Sequence, residues 1–354
     1  MKDVIDIQVS KVVNSKISEV DFNNLPFGKV FSDHMFAMDY ANGEWSGAKI
    51  IPYQNLTVSP ANSTLHYGQT IFEGLKAYRK PDGNILIFRP DANLRRLNKS
   101  AERLCMPQIP ESIFMDALKK LVELDKAWVP EGEGQTLYIR PFMFATDEFI
   151  GIRPSDTYRF IIFTCPVGNY YSKPVRVKIE ETFARAGQGG LGFVKTAANY
   201  AASLYPAKQA QAEGYDQLIW TNSGSHEFIE ESGTMNVMFR IGDKLITPAS
   251  SETILQSITR MSVVEVAKKW GYTVEERKVA VKEIIEAIEN GTLTEAFGLG
   301  TAATVAHIDT IAFRDQNYKL PAIEGREFSN KVSQYLMDYK KGLEQDVFGW
   351  NLVI

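Results

Sequence analysis

Two strongly strand-like stretches set the first constraint on the fold. TLYIRPFMFA at residues 136–145 and YRFIIFTCPV at residues 158–167 are rich in β-branched and aromatic residues, which favour strands. NILIF, VRVKIEE and DQLIW show further strand patterns. In GTMNVMFRIGDKLITP, two strand patterns flank Gly242-Asp243, which predicts a hairpin. A fold for this chain must therefore pair these strands in sheets.

Helical periodicity occurs between the strand patterns. DANLRRLNKSAERL carries Leu94, Leu97, Ala101 and Leu104 at helical spacing. Further helices are predicted in ESIFMDALKKLVELDKAW, ANYAASLYPAKQAQAEGY, ITRMSVVEVAKKW, VKEIIEAIENG and GREFSNKVSQYLMDYKKGL. Strands grouped with helices, without strict alternation, favour an α+β fold over a doubly wound parallel sheet.

The segment CPVGNYYSKPVRV has two prolines and a glycine between strand patterns, which is typical of a linker. A length of 354 residues allows two or three domains, and 44% hydrophobic residues suffice for a sizeable core. We therefore expect an N-terminal α+β domain at residues 1–167, a linker at 168–177 and a C-terminal domain at 178–354.

Charge and cysteine usage narrow the class of protein. A formal net charge of -4 without a basic run argues against nucleic acid or an anionic membrane as the main partner. The start MKDVIDIQVSK lacks an apolar core, and no apolar run is long enough to span a bilayer. Cys105 and Cys165 form neither a CxxC pair nor a disulfide framework. We expect a soluble cytoplasmic protein with structural thiols.

The stretch GGLGFVKTAANY, residues 189–200, places Lys195 after several glycines and before small residues. A P-loop requires glycine immediately before the lysine, and here that residue is Val194. GLGTAA at residues 298–303 fits G-x-G-x-x-A, but too little chain follows for a dinucleotide fold, so we expect a Gly-lined turn that approaches a ligand. The sequence has no G-x-S-x-G elbow, and its four histidines are scattered rather than set at metal-ligand spacing.

A lysine that acts as a reagent is the remaining interpretation. An amine is nucleophilic only when neutral, and apolar surroundings favour the neutral form. The neighbours of Lys195, from Phe193 to Ala198, suit such a role. Because most lysines are solvated, an ordinary surface lysine stays open as the alternative.

An aldehyde cofactor held by lysine also needs an acid at its ring nitrogen and donors around its phosphate. Glu231 stands just before the Gly233-Thr234 break, although a solvated loop glutamate is an equal alternative. SITRM opens a predicted helix, and the amides of Ile258 and Thr259 could bind an anion there. The alternative is an ordinary helix start capped by Ser257 or Thr259. Further candidate donors to the phosphate are Thr301 in GLGTAA and Arg89 at the end of a strand. For Arg89, an ordinary surface arginine stays open as the alternative.

In combination, these segments resemble the branched-chain-amino-acid aminotransferases, pyridoxal-phosphate enzymes of fold type IV. The matching motifs are FGKVFSDHM, LHYGQTIFEGLKAYR, IFRP, LYIRPF, CPVGNYY, K-x-x-x-NY, EGYDQLIW, ESGTMN, ITR and GLGTAA. They extend from about Phe27 past Ala303, and they are most similar to the long branch that includes animal and many bacterial enzymes. The resemblance implies two α/β domains with pyridoxal 5'-phosphate at the domain interface, in a homodimer.

The resemblance also implies a role for each candidate. Lys195 is the implied Schiff-base lysine, Glu231 the partner of the pyridine nitrogen, and Tyr200 the hydroxyl beside the cofactor's phenolic oxygen. The implied phosphate ligands are Arg89, the amides of Ile258 and Thr259, and Thr301. The implied substrate contacts are Tyr67 and the Thr301–Ala302 turn for the α-carboxylate, Tyr138 and Arg140 for the second carboxylate of glutamate, and Phe27, Phe72, Tyr170 and Thr234 for an apolar pocket. Ile150 and Ile152 are implied to reach the site of the other subunit.

The implied reaction moves the amino group of leucine, isoleucine or valine to 2-oxoglutarate in a reversible ping-pong cycle. A D-amino-acid transaminase or an aminodeoxychorismate lyase of the same fold is the alternative, against which the aromatic pocket argues. The chain departs from the family pattern at Ala197-Ala198, where Gly-Gly is common. Ala303 and Ala306 stand where some relatives carry a redox CxxC, so we expect no such regulation.

Overall fold

The computed structural model describes residues 6–168 and 173–354. The helices are α1 (Ser63–Tyr67), α2 (Pro90–Arg103), α3 (Glu111–Leu124), α4 (Ala197–Ala212), α5 (Ile258–Lys269), α6 (Val281–Glu289) and α7 (Glu327–Lys340). The strands are β1 (Gln8–Val9), β2 (His34–Ala41), β3 (Glu44–Pro52), β4 (Thr70–Phe72), β5 (Leu75–Arg79), β6 (Ile85–Phe88), β7 (Thr136–Ala145), β8 (Tyr158–Val167), β9 (Val175–Ile179), β10 (Gln217–Thr221), β11 (Phe228–Ser232), β12 (Asn236–Ile241), β13 (Lys244–Pro248), β14 (Thr273–Arg277), β15 (Val279–Ala280), β16 (Leu293–Gly300), β17 (Thr304–Phe313), β18 (Gln316–Lys319) and β19 (Asn351–Val353).

The described residues form two compact units. Unit 1 comprises residues 6–168, Val194–Ala197 and Tyr339–Ile354, and unit 2 comprises residues 173–193 and Ala198–Asp338. Unit 1 includes two late segments because Thr196 pairs with Ile71 and β19 pairs with β6. The predicted boundaries at residues 167 and 178 assign both segments to the C-terminal domain instead. The predicted division into domains stays a prediction.

Unit 1 is built on one sheet with the strand order β1-β3-β2-β8-β7-β5-β6-β19, and β4 also pairs with β7. Apart from the parallel β1–β3 pair, its strands are antiparallel. Leu97 of α2 and Phe114 of α3 share a buried cluster with Phe36 and Ile139 of the sheet. Burial of these side chains, worth roughly 2 kcal/mol each, fixes both helices on the sheet.

Unit 2 is built on a mixed sheet with the strand order β14-β13-β12-β16-β17-β9-β10-β11-β15, and β18 also pairs with β17. The parallel pairs are β13–β14, β9–β10 and β9–β17. Ile284 of α6 joins Ile219, Phe239 and Ile308 of the strands in the buried core. The α+β character predicted from the sequence therefore holds in each unit.

Most predicted elements are present, and the differences have physical causes. TLYIRPFMFA and YRFIIFTCPV form β7 and β8. GLGTAA, by contrast, is not a Gly-lined turn, because Gly298 and Gly300 lie within β16 and the turn begins at Thr301. A Cβ atom would lie 2.7 Å from Met235 Cε at Gly298 and 3.0 Å from Met235 Cγ at Gly300, so both glycines pack closely against this side chain. No helix in the described part of the chain is long and apolar enough to cross a bilayer.

Candidate active site

Lys195 is held in unit 1 by its backbone. Its N–H donates to the Ser100 hydroxyl at 3.0 Å, and its carbonyl accepts from the Phe72 N–H at 3.1 Å. The Thr196 hydroxyl donates to the carbonyl of Thr70 at 2.8 Å, and Thr196 forms a bridge with Ile71. Residues 195–196 thus extend the sheet beside β4, which fixes the base of the Lys195 side chain.

The Lys195 side chain lies against an aromatic ring. Its Nζ is 4.8 Å from the centroid of the Phe72 ring, and the residue is half-buried. Val194 is 1% exposed and Thr196 is fully buried. The side chain is thus partly withdrawn from water, which is compatible with the nucleophile and base that the sequence predicts.

Arg140, Tyr138 and the two phenylalanines predicted for the pocket lie together in unit 1. Tyr138 and Arg140 are two residues apart in β7 and therefore project from the same face of the strand. Arg140 Nη2 donates to the Tyr138 hydroxyl at 2.9 Å, and the guanidinium carbon lies 4.6 Å from the Phe72 ring centroid. Phe27 packs edge-on against Tyr138 with ring centroids 5.1 Å apart. The cluster presents one cation in a largely aromatic wall.

Arg89 occupies a strained backbone position at the start of α2. Its φ of 49° lies in the left-handed region, which is costly for a residue with a Cβ atom and is often found at functional sites. The Arg89 N–H donates to the carbonyl of Trp350 at 2.7 Å, and the guanidinium stacks 4.5 Å from the Trp350 ring centroid. The residue is 9% exposed, so the surface-arginine alternative does not hold.

Three other predicted residues of unit 1 are exposed. Tyr67, the last residue of α1, is 42% exposed, whereas Ile150 and Ile152 are 68% and 94% exposed. Phe149 is also 44% exposed, so three exposed apolar side chains lie within four residues of the chain.

Glu231 in unit 2 is a buried acid with two strong donors. It lies in β11 at 3% exposure, so the solvated-loop alternative does not hold. Its Oε1 accepts from the Leu255 N–H at 2.5 Å and from Arg185 Nη2 at 3.1 Å. A buried carboxylate held by a cation and an amide has a fixed orientation.

The neighbouring Glu230 has a different environment. Its Oε1 accepts from the Thr253 hydroxyl at 2.5 Å, and burial raises the pKa of its carboxyl above the usual range. Successive residues of a strand point to opposite faces, so the two acids are not interchangeable. Of this pair, Glu231 is the one held by an ion pair.

The start of α5 is a capped and buried helix N-terminus. Ser257 is the N-cap, and its hydroxyl accepts from the Arg260 N–H at 3.2 Å. Ile258 and Thr259 follow at 4% exposure each, and amides in the first turn of a helix have no partner within the helix. Such buried amides fit an anionic group, so this end of α5 is compatible with a phosphate.

The remaining predicted residues of unit 2 lie at element ends. Tyr200 is half-buried in the first turn of α4, and Thr234 is exposed between β11 and β12. Thr301 and Ala302 form the turn between β16 and β17. Tyr170 lies outside the described residues. Within residues 6–168 and 173–354, no group of three or more His, Cys, Asp or Glu side chains is arranged to hold a metal ion.

Comparison with known proteins identifies the family. The model of amino-transferase class IV matches residues 70–311, more than half of the chain. The chain belongs to this family. Class IV aminotransferases depend on pyridoxal 5'-phosphate. The predicted enzyme class and cofactor are confirmed: the protein is a pyridoxal-phosphate-dependent aminotransferase.

Relatives of this aminotransferase cover nearly its whole length. It is 44% identical to branched-chain-amino-acid aminotransferase 2 of Bacillus subtilis over 96% of this chain and 95% of the relative. It is 42% identical to branched-chain-amino-acid transaminase 1 of the same organism over 94% of this chain and 95% of the relative.

Solved structures share the fold of this aminotransferase. The branched-chain aminotransferase of Thermoproteus uzoniensis, crystallised with norvaline, superposes with a TM-score of 0.73 at 23% identity, covering 90% of this chain and 99% of that chain. The Thermobaculum terrenum enzyme in its pyridoxal-phosphate form gives 0.72 at 22% identity, covering 91% and 98%. The predicted fold type IV architecture is therefore confirmed.

Two residues of this aminotransferase that support the candidate site were missed by the sequence analysis. Ser100 binds the Lys195 backbone, yet in the sequence it is only a polar residue within a helical stripe. Arg185 binds Glu231, yet it stands in FARAGQGG, where no periodicity or motif marks it. Both contacts join segments that are far apart in the chain, and a single sequence carries no signal for them.

Proposed function

We propose that the protein transfers the amino group of leucine, isoleucine or valine to 2-oxoglutarate, giving the branched 2-oxo acid and glutamate. The observation that carries this function is the 44% identity to a branched-chain-amino-acid aminotransferase over 96% of the chain. The comparison with these relatives supports the function predicted from the sequence. It does not favour the alternative, a D-amino-acid transaminase or an aminodeoxychorismate lyase.

For Lys195 we propose the covalent and proton-transfer roles. When bound, pyridoxal phosphate supplies a reactive aldehyde carbon and a ring that takes up negative charge. Lys195 Nζ binds the cofactor and moves the proton at the substrate Cα. Its backbone bonds to Ser100 and Phe72 support this proposal, because a base must be held within hydrogen-bond reach of the proton it moves.

Glu231 is assigned to the ring nitrogen, where its carboxylate keeps a proton on that atom. The ion pair with Arg185 and the Leu255 amide support this role, because they fix the carboxylate before any ligand arrives. Tyr200 is proposed to donate its hydroxyl to the phenolic oxygen of the cofactor. For the phosphate, we propose Arg89, the amides of Ile258 and Thr259, and the hydroxyl of Thr301.

The substrate pocket must accept both an apolar side chain and a carboxylate. We propose that Phe27, Phe72 and Thr234, together with Tyr170 outside the described residues, take the apolar side chain. Arg140 and Tyr138 are proposed to bind the second carboxylate of glutamate. The Tyr138 hydroxyl and the Phe72 ring beside Arg140 support this proposal, because a guanidinium stacked on a ring tolerates an apolar ligand nearby. Tyr67 and the Thr301–Ala302 turn are proposed for the α-carboxylate.

We further propose a homodimer in the cytoplasm, with Ile150 and Ile152 reaching the site of the other subunit. The exposure of Ile150 and Ile152 supports the dimer interface. The two free cysteines, Cys105 and Cys165, support the cytoplasmic location, because free thiols fit a reducing compartment. Sedimentation equilibrium of wild type and Ile152→Asp tests the assembly. We expect wild type to sediment as a dimer and the variant to dissociate at low concentration, whereas a wild-type monomer would contradict the proposal.

A substrate panel tests the proposed function. Purified protein loaded with pyridoxal phosphate is incubated with 2-oxoglutarate and, in turn, leucine, isoleucine, valine, D-alanine and aminodeoxychorismate. We expect glutamate to form with the three branched L-amino acids and neither D-alanine transamination nor pyruvate release from aminodeoxychorismate. Turnover of D-alanine at a rate comparable to leucine would instead support the alternative.

A further inference from the structure

Arg185 joins three segments of unit 2 through one nitrogen atom. The side chain is 8% exposed, and its Nη2 donates to Glu231 Oε1 at 3.1 Å, to the Gly192 carbonyl at 3.1 Å and to the carbonyl of Thr253. Glu231 lies in β11, Gly192 lies three residues before Lys195, and Thr253 lies in the loop that leads to α5. One guanidinium therefore contacts the acid and both of these loops.

Gly192 provides independent evidence that these segments are closely packed. A Cβ atom at residue 192 would lie 2.6 Å from the Ala186 Cβ, the Thr253 Cα and the Thr253 carbonyl oxygen. Two of these atoms belong to the backbone and have no flexible side chain that could yield. Gly192 is thus required for the close approach to Thr253 that Arg185 bridges, which explains one of the glycines before Lys195.

Arg260 is a second buried cation that interacts electrostatically with Glu231, but its guanidinium donates hydrogen bonds to other groups. The buried guanidinium of Arg260 is directed to the carbonyl of Pro248, to the Ser250 hydroxyl at 2.5 Å and to Glu276 at 3.5 Å. Glu230, the adjacent acid, takes its hydrogen bond from Thr253. Arg185 thus forms a direct ion pair with Glu231, with Nη2 3.1 Å from Oε1.

We propose that Arg185 is a positioning residue of this aminotransferase, acting through Glu231. It holds the carboxylate in the orientation in which it meets the ring nitrogen, and it ties that orientation to the loops before Lys195 and before α5. The inference rests on the proposed role of Glu231. A carboxylate left without its guanidinium would rotate and would misalign with the ring nitrogen, so cofactor affinity and turnover should fall together.

The test compares Arg185→Met with Arg326→Met in the full-length protein. Arg326 is a matched control, because it is 3% exposed and donates to the carbonyls of Ala296 at 3.1 Å, Ile308 at 2.8 Å and Pro321 at 2.9 Å. The measurements are the dissociation constant of pyridoxal 5'-phosphate per folded protein, the absorption spectrum of the bound cofactor, and kcat and KM for leucine. We expect R185M to weaken cofactor binding about tenfold or more, to alter the spectrum and to lower kcat more than it raises KM.

The control and a double mutant make the outcome decisive. R326M should lower the thermal midpoint while it leaves the cofactor dissociation constant within about twofold of wild type. In the Glu231→Gln background, the effect of R185M should shrink to within about threefold, because the two residues act as one unit. If R185M does not fold, Arg185→Lys is used in its place, because lysine keeps the charge and loses the fork geometry. We then expect a smaller change in cofactor affinity, spectrum and kcat, in the same direction.

Equal cofactor affinity and spectra in R185M and wild type, or an undiminished effect in the E231Q background, would overturn the proposal. Failure of the proposed function is distinguishable, since the wild-type protein itself would then not turn over leucine with 2-oxoglutarate.

Discussion

The predicted functional groups of unit 1 and unit 2 are held by different kinds of contact. In unit 1, Lys195 and Arg140 both lie against the ring of Phe72, at 4.8 Å and 4.6 Å. In unit 2, Glu231 is held by an ion pair at 3.1 Å and by a backbone amide. A cation–π contact is worth about 0.5–2 kcal/mol, whereas removal of one partner from a buried ion pair costs about 3–5 kcal/mol. Disruption of the Glu231 ion pair in unit 2 is therefore expected to cost more than loss of either ring contact in unit 1.

The largest effect is expected for Lys195→Ala, which removes the proposed covalent attachment and the base together. Turnover of leucine with 2-oxoglutarate should be abolished, and the absorption band of lysine-bound cofactor should disappear. Non-covalent cofactor binding should persist, because the proposed phosphate ligands are unchanged. Steady-state rates and absorption spectra check both points, and near-normal transamination in K195A would disprove the assignment of Lys195.

The next largest effect is expected for Glu231→Gln, because a neutral amide does not stabilise a protonated ring nitrogen. We expect kcat to fall by roughly a hundredfold or more with the fold preserved. The adjacent Glu230→Gln is the control and should stay within a few-fold of wild type, since Glu230 takes its hydrogen bond from Thr253 and burial already raises its pKa. Similar losses in both variants would show that the fixed acid of unit 2 has no special role.

A selective effect is expected for Arg140→Met. Burial of the glutamate carboxylate without a partner costs several kcal/mol, roughly, whereas leucine needs no cation. KM for glutamate and 2-oxoglutarate should therefore rise on the order of tenfold more than KM for leucine and its oxo acid. Tyr138→Phe, which removes only the hydroxyl that accepts from Arg140, should shift the same constants less. Equal losses for both substrate classes would make Arg140 a structural residue.

The smallest effect is expected for Ser257→Ala, which tests how far the fixed geometry of unit 2 depends on local capping. Loss of the N-cap should lower the free energy of unfolding by about 1 kcal/mol, as measured by denaturant titration. Ser262→Ala is the control, because that hydroxyl donates to the Ile258 carbonyl within the helix and caps no helix end. A larger loss in S262A than in S257A would contradict the capping role.

The sequence predicts the elements that depend on local residue patterns and misses the contacts between segments that are far apart in the chain. β7 and β8 follow from their β-branched and aromatic content, and the alternation in β7 places Tyr138 and Arg140 on one face. The turn predicted for GLGTAA is wrong at Gly298 and Gly300, which weaken the strand pattern although they lie in β16. Their contact with Met235 joins distant segments and is not visible in the sequence.

In the candidate site, too, local features could be predicted from the sequence and contacts between distant segments could not. Ser257 is recognisable as a possible cap because it directly precedes a helical pattern. The pairing of residues 195–196 beside β4 and the bond between Arg185 and Glu231 depend instead on contacts between distant segments. Neither periodicity nor composition encodes such contacts, so the residues that support Lys195 and Glu231 become visible only in the folded chain.

The pairing of β19 with β6 bears on the order in which the chain folds during synthesis. All residues of unit 2 leave the ribosome before Trp350, which accepts the Arg89 N–H and stacks on its guanidinium. Until then, β6 is paired with β5 on one side only, and an unpaired strand edge can recruit other chains. Unit 1 contains the first strands to be made, and it is nevertheless the last unit to be completed, so its sheet keeps an open edge throughout the synthesis of unit 2.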